Sequence, residues 1–385
     1  MRVLFWVALG LVAYTYAGYP LVLWLLGRRR SRDVAGTGLA PAVSIVIAAR
    51  NEADKIRRKI EHTLALDYPA DRLEILVASD ASDDGTDAIV EQYAERRVRL
   101  VRAPQRNGKE HAQSLAIAVA SGDMIVFTDA ATLLEPQALR SLVRSFDDRT
   151  VGAVSTEDCL VDAAGKPTGE GLYVRYEMWV RRLESRFHSL VGLSGSCFAI
   201  RRALCQPWPT HLASDFRAAL QTARAGYRSI TDIAARGRFV AVSSAQAEMR
   251  RKIRTFLRGI TVLMANLDLL NPLRHGRFAF QLASHKLLRF LAPLLLLLAL
   301  MASALAGDPL LRLAFALQVA FYALGYVSGI VPRLQRLPFV RVMHFFTMVQ
   351  CAMLVAWVKY AMGQQQVTWE PSRRQTVTPG APPSS

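Results

Sequence analysis

Cysteine is scarce in this chain: Cys159, Cys197, Cys205 and Cys351 are its only four in 385 residues, and none forms a C-x-x-C pair. That spacing excludes a disulfide framework and a zinc site, and leaves reduced thiols as the expected state. Two phosphate-binding signatures are also missing. No G-x-G-x-x-G follows the first strand-like run, and Asn107-Gly108-Lys109-Glu110 lacks P-loop spacing, so neither a dinucleotide-dependent dehydrogenase nor a P-loop ATPase is indicated. His62, His111, His188 and His211 show no metal-ligand spacing. Acidic residues thin out after position 247, with four against 16 Lys+Arg, and residues 3–26 carry no charge at all.

What is present is apolar sequence, 52% of the chain, and a formal net charge of +17. The distribution of that charge argues against nucleic acid, because residues 42–247 hold 27 Lys+Arg against 26 Asp+Glu. The excess lies beside apolar segments, where basic residues mark cytoplasmic flanks and attract anionic lipid. Residues 3–26 are long enough to cross a bilayer. Arg28, Arg29, Arg30 and Arg32 follow at once, which places residue 28 onward in the cytoplasm. A cleaved signal peptide would want its positive charge before the apolar run and small residues after it. Only Arg2 precedes, so a retained anchor is expected. Three further apolar segments run at 290–306, 313–331 and 342–358. The last contains His344 and is followed by Lys359, Arg373 and Arg374, so a span and a re-entrant segment both stay open, and with them the side of the C-terminus. Residues 246–285 read as a basic amphipathic segment lying on the inner membrane surface, the alternative being a basic helix that covers the globular part. The tail from Thr376 has a disordered composition.

Between the apolar ends, strand-like runs at 43–48, 73–78, 98–101, 124–128 and 151–155 alternate with helix-like stretches at 51–66, 86–97, 109–121 and 136–147. That alternation predicts an α/β domain with a mostly parallel sheet covered on both faces. The expected division is an anchor over 1–27, the α/β domain over 41–245, the basic segment over 246–285, a membrane region over 286–362 and a tail over 363–385. Polar residues fall where strands end: Arg50-Asn51-Glu52, then Asp80, then Asp129. Ligands of open α/β sheets bind at those ends. Asp80 and Asp84, within the run from Val77 to Thr86, are therefore candidate ligand contacts, with helix N-caps as the plain alternative. Acidic groups converging on one rim repel unless a cation balances them. A metal-bound phosphate ligand fits, since Mg²⁺ takes one or two carboxylates plus phosphate oxygens, and Arg106 and Lys109 are placed to neutralise the remaining phosphate charge.

Residues 41–52, the Asp80–Thr86 run, Arg106-Asn107-Gly108-Lys109 and Thr128-Asp129-Ala130 together resemble family 2 inverting glycosyltransferases of GT-A, Rossmann-like fold. The arrangement of apolar segments resembles the membrane-integrated branch, with the cellulose, hyaluronan and poly-N-acetylglucosamine synthases. By that resemblance Glu52 and Asp80 contact the uridine of a UDP-sugar, Lys109 lies near its phosphates, and Asp129 opens the D-x-D motif that binds Mg²⁺ or Mn²⁺. The segment 193–202, with Gly195 and Ser196, is similar to the acceptor-lining stretch. Asp215 stands where the family carries its catalytic base, and Glu248-x-x-Arg251-Lys252 where it carries Q-x-x-R-W, which holds pyrophosphate and acceptor. Two departures are visible. The D-x-D reads Asp129-Ala130-Ala131, and Lys252 replaces the tryptophan that offers an acceptor sugar a stacking platform.

The implied reaction is displacement at the anomeric carbon with inversion, Asp215 taking the acceptor proton and cations meeting the charge of the departing UDP. The acceptor is a glycan or a lipid, and the altered Glu248–Lys252 motif favours few sugars per acceptor. A partner subunit or a second copy of the chain would widen any channel that four spans leave narrow. The expected location is the inner (plasma) membrane, with the product bound for the cell surface or export. The competing function is a catalytically weak, nucleotide-sugar-binding subunit of a synthase complex, to which Ala131 points. A transporter is disfavoured by few spans and by the lack of paired intramembrane charges. Plainer readings attach to single residues: Asp215 and Glu52 as helix caps, Arg250 and Arg254 as lipid-facing charges, Cys197 as a packed small residue. Glu170 and Tyr173 recur in similar proteins without a chemical role.

Overall fold

The structure is a computed structural model that describes residues 1–27, 40–161, 171–240 and 245–364. The arginines at 28–32, Glu170 and the C-terminal tail lie outside those residues. Two compact units divide the chain, one of residues 1–22, 244–265 and 282–365, the other of residues 23–243 and 266–281.

The second unit is built on one eight-stranded sheet. Its strands are β1 (Val43–Ala49), β2 (Leu73–Ser79), β3 (Val98–Arg102), β4 (Met124–Asp129), β5 (Leu133–Leu134), β6 (Val151–Val161), β7 (Cys197–Arg201) and β8 (Arg228–Val240), in the order β3-β2-β1-β4-β7-β6-β8-β5. From β3 to β4 all neighbours are parallel. β7 then runs antiparallel between β4 and β6, β6 and β8 are parallel, and β5 caps the edge antiparallel to β8. The sheet is therefore mixed: the expected parallel half is there, joined to a second half of which the run at 151–155 announced only β6. All seven residues of β1 are buried, as a strand covered on both faces requires.

Alternate residues feed two cores. Ile45 and Ile47 pack with Ile56 and Ile60 of the helix Ala53–Leu64 and with Leu139 and Leu142 of the helix Ala138–Arg144. Val46, Ile125 and Phe127 face the other way, toward Ala112 and Ala116 of the helix Lys109–Val119 and Ala218 and Ala219 of the helix Ser214–Arg224. The ring of Phe127 stacks on Trp208 with centroids 4.8 Å apart. One polar residue enters β1, and it is satisfied. Ser44 donates to the Glu74 carboxylate and accepts the Gly122 N–H at 2.8 Å.

The first unit is helical. Among the described residues four helices are long and apolar enough to cross a membrane: Arg2–Gly27, Pro272–Ala304, Pro309–Ile330 and Pro338–Ala361. Phe5 and Ala8 of the first pack on Ala299 and Ala302 of the second, and Val12 on Ala292 and Leu296. The alanines let the backbones approach closely, as helices in lipid need to. Arg2 and Asp308 pair at 2.5 Å at one end of this bundle. The basic stretch read over 246–285 comprises the helix Ala245–Met264, a short turn at Leu267–Leu270, and the opening turns of the helix that begins at Pro272. All four cysteines are free thiols.

Gly122 marks the tightest approach in the sheet unit. A Cβ there would lie 2.5 Å from the Ser44 nitrogen and 2.7 Å from the Val43 carbonyl carbon, both backbone atoms that cannot step aside. Gly122→Ala is expected to destabilise the protein by about 1–3 kcal/mol, read as a lower thermal midpoint in detergent. An unchanged midpoint would contradict this packing.

Candidate active site

Strand register gathers the polar residues at one rim. Ala48 of β1 stands level with Ala78 of β2 on one side and with Asp129 of β4 on the other, so Glu52, Asp80 and Asp129 leave the sheet at neighbouring strand ends. The loop after β2 then divides its carboxylates by task. Asp84 accepts the Ala53 N–H and the Thr86 N–H, each at 3.0 Å, so it caps the helices Ala53–Leu64 and Thr86–Glu91 together. Burial pushes the Asp84 carboxyl up, but the Thr86 hydroxyl and the two backbone N–H donors outweigh it and hold the group below the usual carboxylate range. Asp83 is exposed and bound by Arg50 at 2.9 Å and Asn51 at 2.7 Å. Arg50 also donates to the carbonyl of Ala81, a residue held at φ 53°, which a side chain with a Cβ rarely adopts. Asp84 is thus a double cap in this structure, the plainer of its two sequence readings.

Asp80 turns inward. Fully buried, its carboxylate accepts the N–H groups of Asn107 at 2.9 Å and Gly108 at 3.0 Å. Those contacts fix the turn where Gly108, at φ 93°, opens the helix of Lys109. Lys109 reaches across to Asp129 at 2.5 Å and lies 3.5 Å from the Gly195 carbonyl. Glu52 is buried and pairs with Lys55 at 2.7 Å. Burial, the largest influence, raises its pKa against the pull of Lys55. Its side chain does not cap the helix it precedes.

Asp215 enters from the antiparallel side. It is the second residue of the helix Ser214–Arg224, its side chain caps nothing, and the Ser214 N–H is taken instead by Glu110 at 3.3 Å. A Cβ placed on Gly195 would lie 3.1 Å from Asp215 Oδ2, so the carboxylate rests against that glycine. The Asp129 N–H donates to the Ser196 carbonyl at 3.1 Å. The short turn at Gly195 and Ser196 therefore touches Asp215, Lys109 and Asp129. Asp80 fixes the turn that carries Lys109, Lys109 pairs with Asp129, and Asp215 rests against Gly195, while Glu52 pairs with Lys55 at the neighbouring strand end. Arg251 belongs to the helical unit, where Glu248 holds it through two bonds of 2.7 Å and binds Lys252 at 3.2 Å. Burial opposes ionisation of Glu248, yet Arg251 and Lys252 bring its pKa down to about 2.

Sequence reasoning missed several groups. Lys59 is fully buried behind β4, donating to Thr128 Oγ1 at 3.0 Å and to the Thr132 carbonyl at 2.5 Å. Burial lowers its pKa to about 8, with Cys197 and Asp129 pulling the other way. A signal existed: Ile56, Lys59, Ile60 and Thr63 form one apolar helical stripe with a lysine in it. Cys197 is a packed thiol, pushed by burial to about 12. Among the described residues no group of three His, Cys, Asp or Glu side chains is disposed to hold a metal ion.

Comparisons with known proteins agree with this architecture. Residues 44–207 match the model described as glycosyl transferase family 2. The probable glycosyltransferase YdaM of Bacillus subtilis is 28% identical over 200 residues, which are 49% of this chain and 48% of that protein. A beta-monoglucosyldiacylglycerol synthase of Synechocystis is 31% identical over 134 residues, 34% of this chain and 28% of the relative. The hyaluronan synthase of Streptococcus pyogenes is 34% identical over 122 residues, 29% and 28% of the two. The match thus spans less than half the length of these curated relatives. Among solved structures, the mannosyltransferase PcManGT of Pyrobaculum calidifontis, in complex with GDP-Man and Mn²⁺, superposes with a TM-score of 0.71 at 26% identity, covering 94% of this chain and all of that one.

The double cap yields a test. Asp84→Ala is expected to cost about 1–2 kcal/mol at pH 7, read as a lower thermal midpoint. Because the folded pKa is depressed, that contribution is present above the ordinary carboxylate range and lost as pH falls through the depressed value. Wild-type and variant midpoints should therefore converge in acid, and a constant difference down to the lowest pH would contradict the cap.

Proposed function

A glycosyl transferase family 2 domain in a GT-A-like fold lies within this chain, and from that premise we propose that the protein transfers a sugar, with inversion, from a nucleotide-sugar to a glycan or lipid acceptor. The supporting observation is that Gly195 meets both groups: the Asp215 carboxylate rests against its Cα, and its carbonyl lies 3.5 Å from Lys109, which pairs with Asp129. An inverting displacement needs a base on the acceptor side and positive charge on the leaving-group side. Asp215 takes the acceptor hydroxyl proton as that oxygen bonds to the anomeric carbon. The bond from that carbon to the diphosphate oxygen breaks, and the nucleoside diphosphate leaves with the electron pair. Lys109, placed beside Asp129, meets the charge that develops there.

The residues present suit a divalent cation only in part. Asp129 is a single carboxylate followed by Ala130 and Ala131, so the chain offers one ligand, and the remaining positions suit diphosphate oxygens and water. When bound, Mg²⁺ or Mn²⁺ would supply Lewis-acid neutralisation of the diphosphate. Glu52 and Asp80 build the floor under the nucleotide: Asp80 by fixing the Asn107–Gly108 turn, Glu52 by holding Lys55. The uridine reading rests on the motif resemblance, while the archaeal relative carries GDP-Man, so both nucleotides belong in a donor screen.

Four apolar helices support membrane residence, and the arginines after residue 27 support a cytoplasmic α/β unit at the inner membrane. Relatives include both a glycolipid synthase and a polysaccharide synthase. Lys252, 4.7 Å above the Phe345 ring and bound to Glu248, stands where a stacking tryptophan would serve a growing glycan. This favours a lipid or short glycan acceptor and few sugars per acceptor.

The test is a panel of UDP- and GDP-sugars offered to purified membranes, with products read by mass spectrometry. Asp215→Asn should lower turnover by about 10²–10⁴-fold with nucleotide binding retained, and near-normal turnover in that variant would defeat the base assignment. Chelation should suppress transfer, and Mg²⁺ or Mn²⁺ should restore it; full activity after chelation would remove the cation from the reaction. No transfer or hydrolysis with any donor, alongside retained nucleotide binding, would favour a non-catalytic subunit instead.

A further inference from the structure

The turn between the proposed base and the leaving-group cations is held from behind by a carboxylate that no motif announces. Asp158 lies on β6, with 15% of its side chain exposed. The Ser194 hydroxyl donates to its two oxygens at 2.7 and 2.8 Å, and the Ser196 hydroxyl donates at 2.7 Å. Charge-assisted bonds from hydroxyl to carboxylate are short and strong, and these fall at the expected lengths. Arg181, 9% exposed and on the helix Gly171–Phe187, sits 4.0 Å from Asp158 and donates to the Gly192 carbonyl at 2.8 Å and the Ser155 hydroxyl at 3.2 Å. The Ser155 hydroxyl oxygen in turn accepts the Ser194 N–H at 2.8 Å. Every residue from Gly192 to Ser196 except Leu193 and Gly195 is thus held by this group.

Those two exceptions are the residues that face Asp215. The Leu193 N–H donates to the Asp215 carbonyl at 3.3 Å, and Gly195 lies under the Asp215 carboxylate while its carbonyl faces Lys109. Ser196 passes its carbonyl to the Asp129 N–H. A shift of this turn would move the base relative to the leaving-group side without removing either.

We propose that Asp158, backed by Arg181, is a positioning residue for the transfer reaction: through Ser194 and Ser196 it sets the spacing between the Asp215 carboxylate and the Lys109–Asp129 pair. The inference rests on the transferase reading given above. Asp158 acts through Ser194 and Ser196, so its loss should act on the rate of transfer and spare donor binding. A misplaced base leaves the donor bound and water still able to reach the anomeric carbon.

The experiment uses the full chain in detergent or membranes, with four variants: Asp158→Ala, Asp158→Asn, the double variant Ser194→Ala/Ser196→Ala, and Asp215→Asn as reference. Since a misplacement near 1 Å can cost on the order of 10²-fold, Asp158→Ala and the double serine variant should lose about tenfold or more in kcat while donor KM stays within about threefold. Donor hydrolysis should fall less than transfer, and Asp158→Asn, which keeps one acceptor oxygen, should recover part of the loss. Should Asp158→Ala fail to fold, the double serine variant decides, because it leaves the Asp158–Arg181 pair intact. Wild-type kcat in that variant would overturn the proposal, as would a rise in donor KM matching the fall in kcat. An active Asp215→Asn would instead sink the base assignment, which separates the two failures.

Discussion

Concentrating carboxylates at the end of a sheet is electrostatically costly, and the rest of the site follows from how this chain meets that cost. Glu52, Asp80, Asp84 and Asp129 all emerge at adjoining strand ends, and each has a partner supplied from the chain itself. Lys55 pairs with Glu52 and Lys109 with Asp129, while Asp80 and Asp84 are satisfied by backbone N–H groups. Lys59 adds a buried positive charge behind β4. A buried charge is tolerated when it is paired or hydrogen-bonded, and each of these is. The arrangement leaves a rim whose negative groups are already balanced before any ligand arrives.

Much of the fold was legible because its parallel half obeys simple periodicity. The runs at 43–48, 73–78, 98–101 and 124–128 are mostly apolar, with one polar residue in each, and each became a strand within a residue or so of its expected bounds. Of the other half only β6 showed in advance, as the run at 151–155, and the rest was hidden for an equally physical reason. In β8 the charges Arg228, Asp232, Arg236 and Arg238 interrupt its apolar residues and the strand is partly exposed, so it carries no long apolar run. β7 hides inside the segment that the family resemblance marked as acceptor-lining. The two-residue β5 is too short to leave any pattern.

The site divides in the same way. Residues at strand ends could be found because topology alone makes those ends important. Of the residues that support them from behind, Lys59 alone had a signal, its place in an apolar helical stripe, while Glu110, Asp158 and Arg181 sit on helices and strands where a charge normally points to solvent. Only the three-dimensional arrangement turns Glu110 into the cap of the helix Ser214–Arg224 or Asp158 into the anchor of two serines. Burial pushes the Asp158 carboxyl up, while Arg181 and the serine hydroxyls favour its ionised form. Sequence distance hid these links: Glu110 and Ser214 are 104 residues apart.

The missing second carboxylate at Ala131 acquires a meaning in this setting. Asp129 with Lys109 at 2.5 Å is close to neutral as a pair, so by itself it offers little attraction to a divalent ion. A nucleoside diphosphate changes that balance, because it brings its own negative charge and its own oxygen ligands. On the proposed reading Lys109 would face both Asp129 and the diphosphate, and Asp129 would be the chain's one ligand to a divalent cation. A D-x-D pair would hold excess negative charge at the strand end even without a donor. With one carboxylate removed, charge neutrality is reached by a lysine when the donor is absent, and affinity for a cation becomes a property of protein and donor together. On the proposed reading a cation would draw most of its ligands from the donor, while Asp215 keeps its place against Gly195.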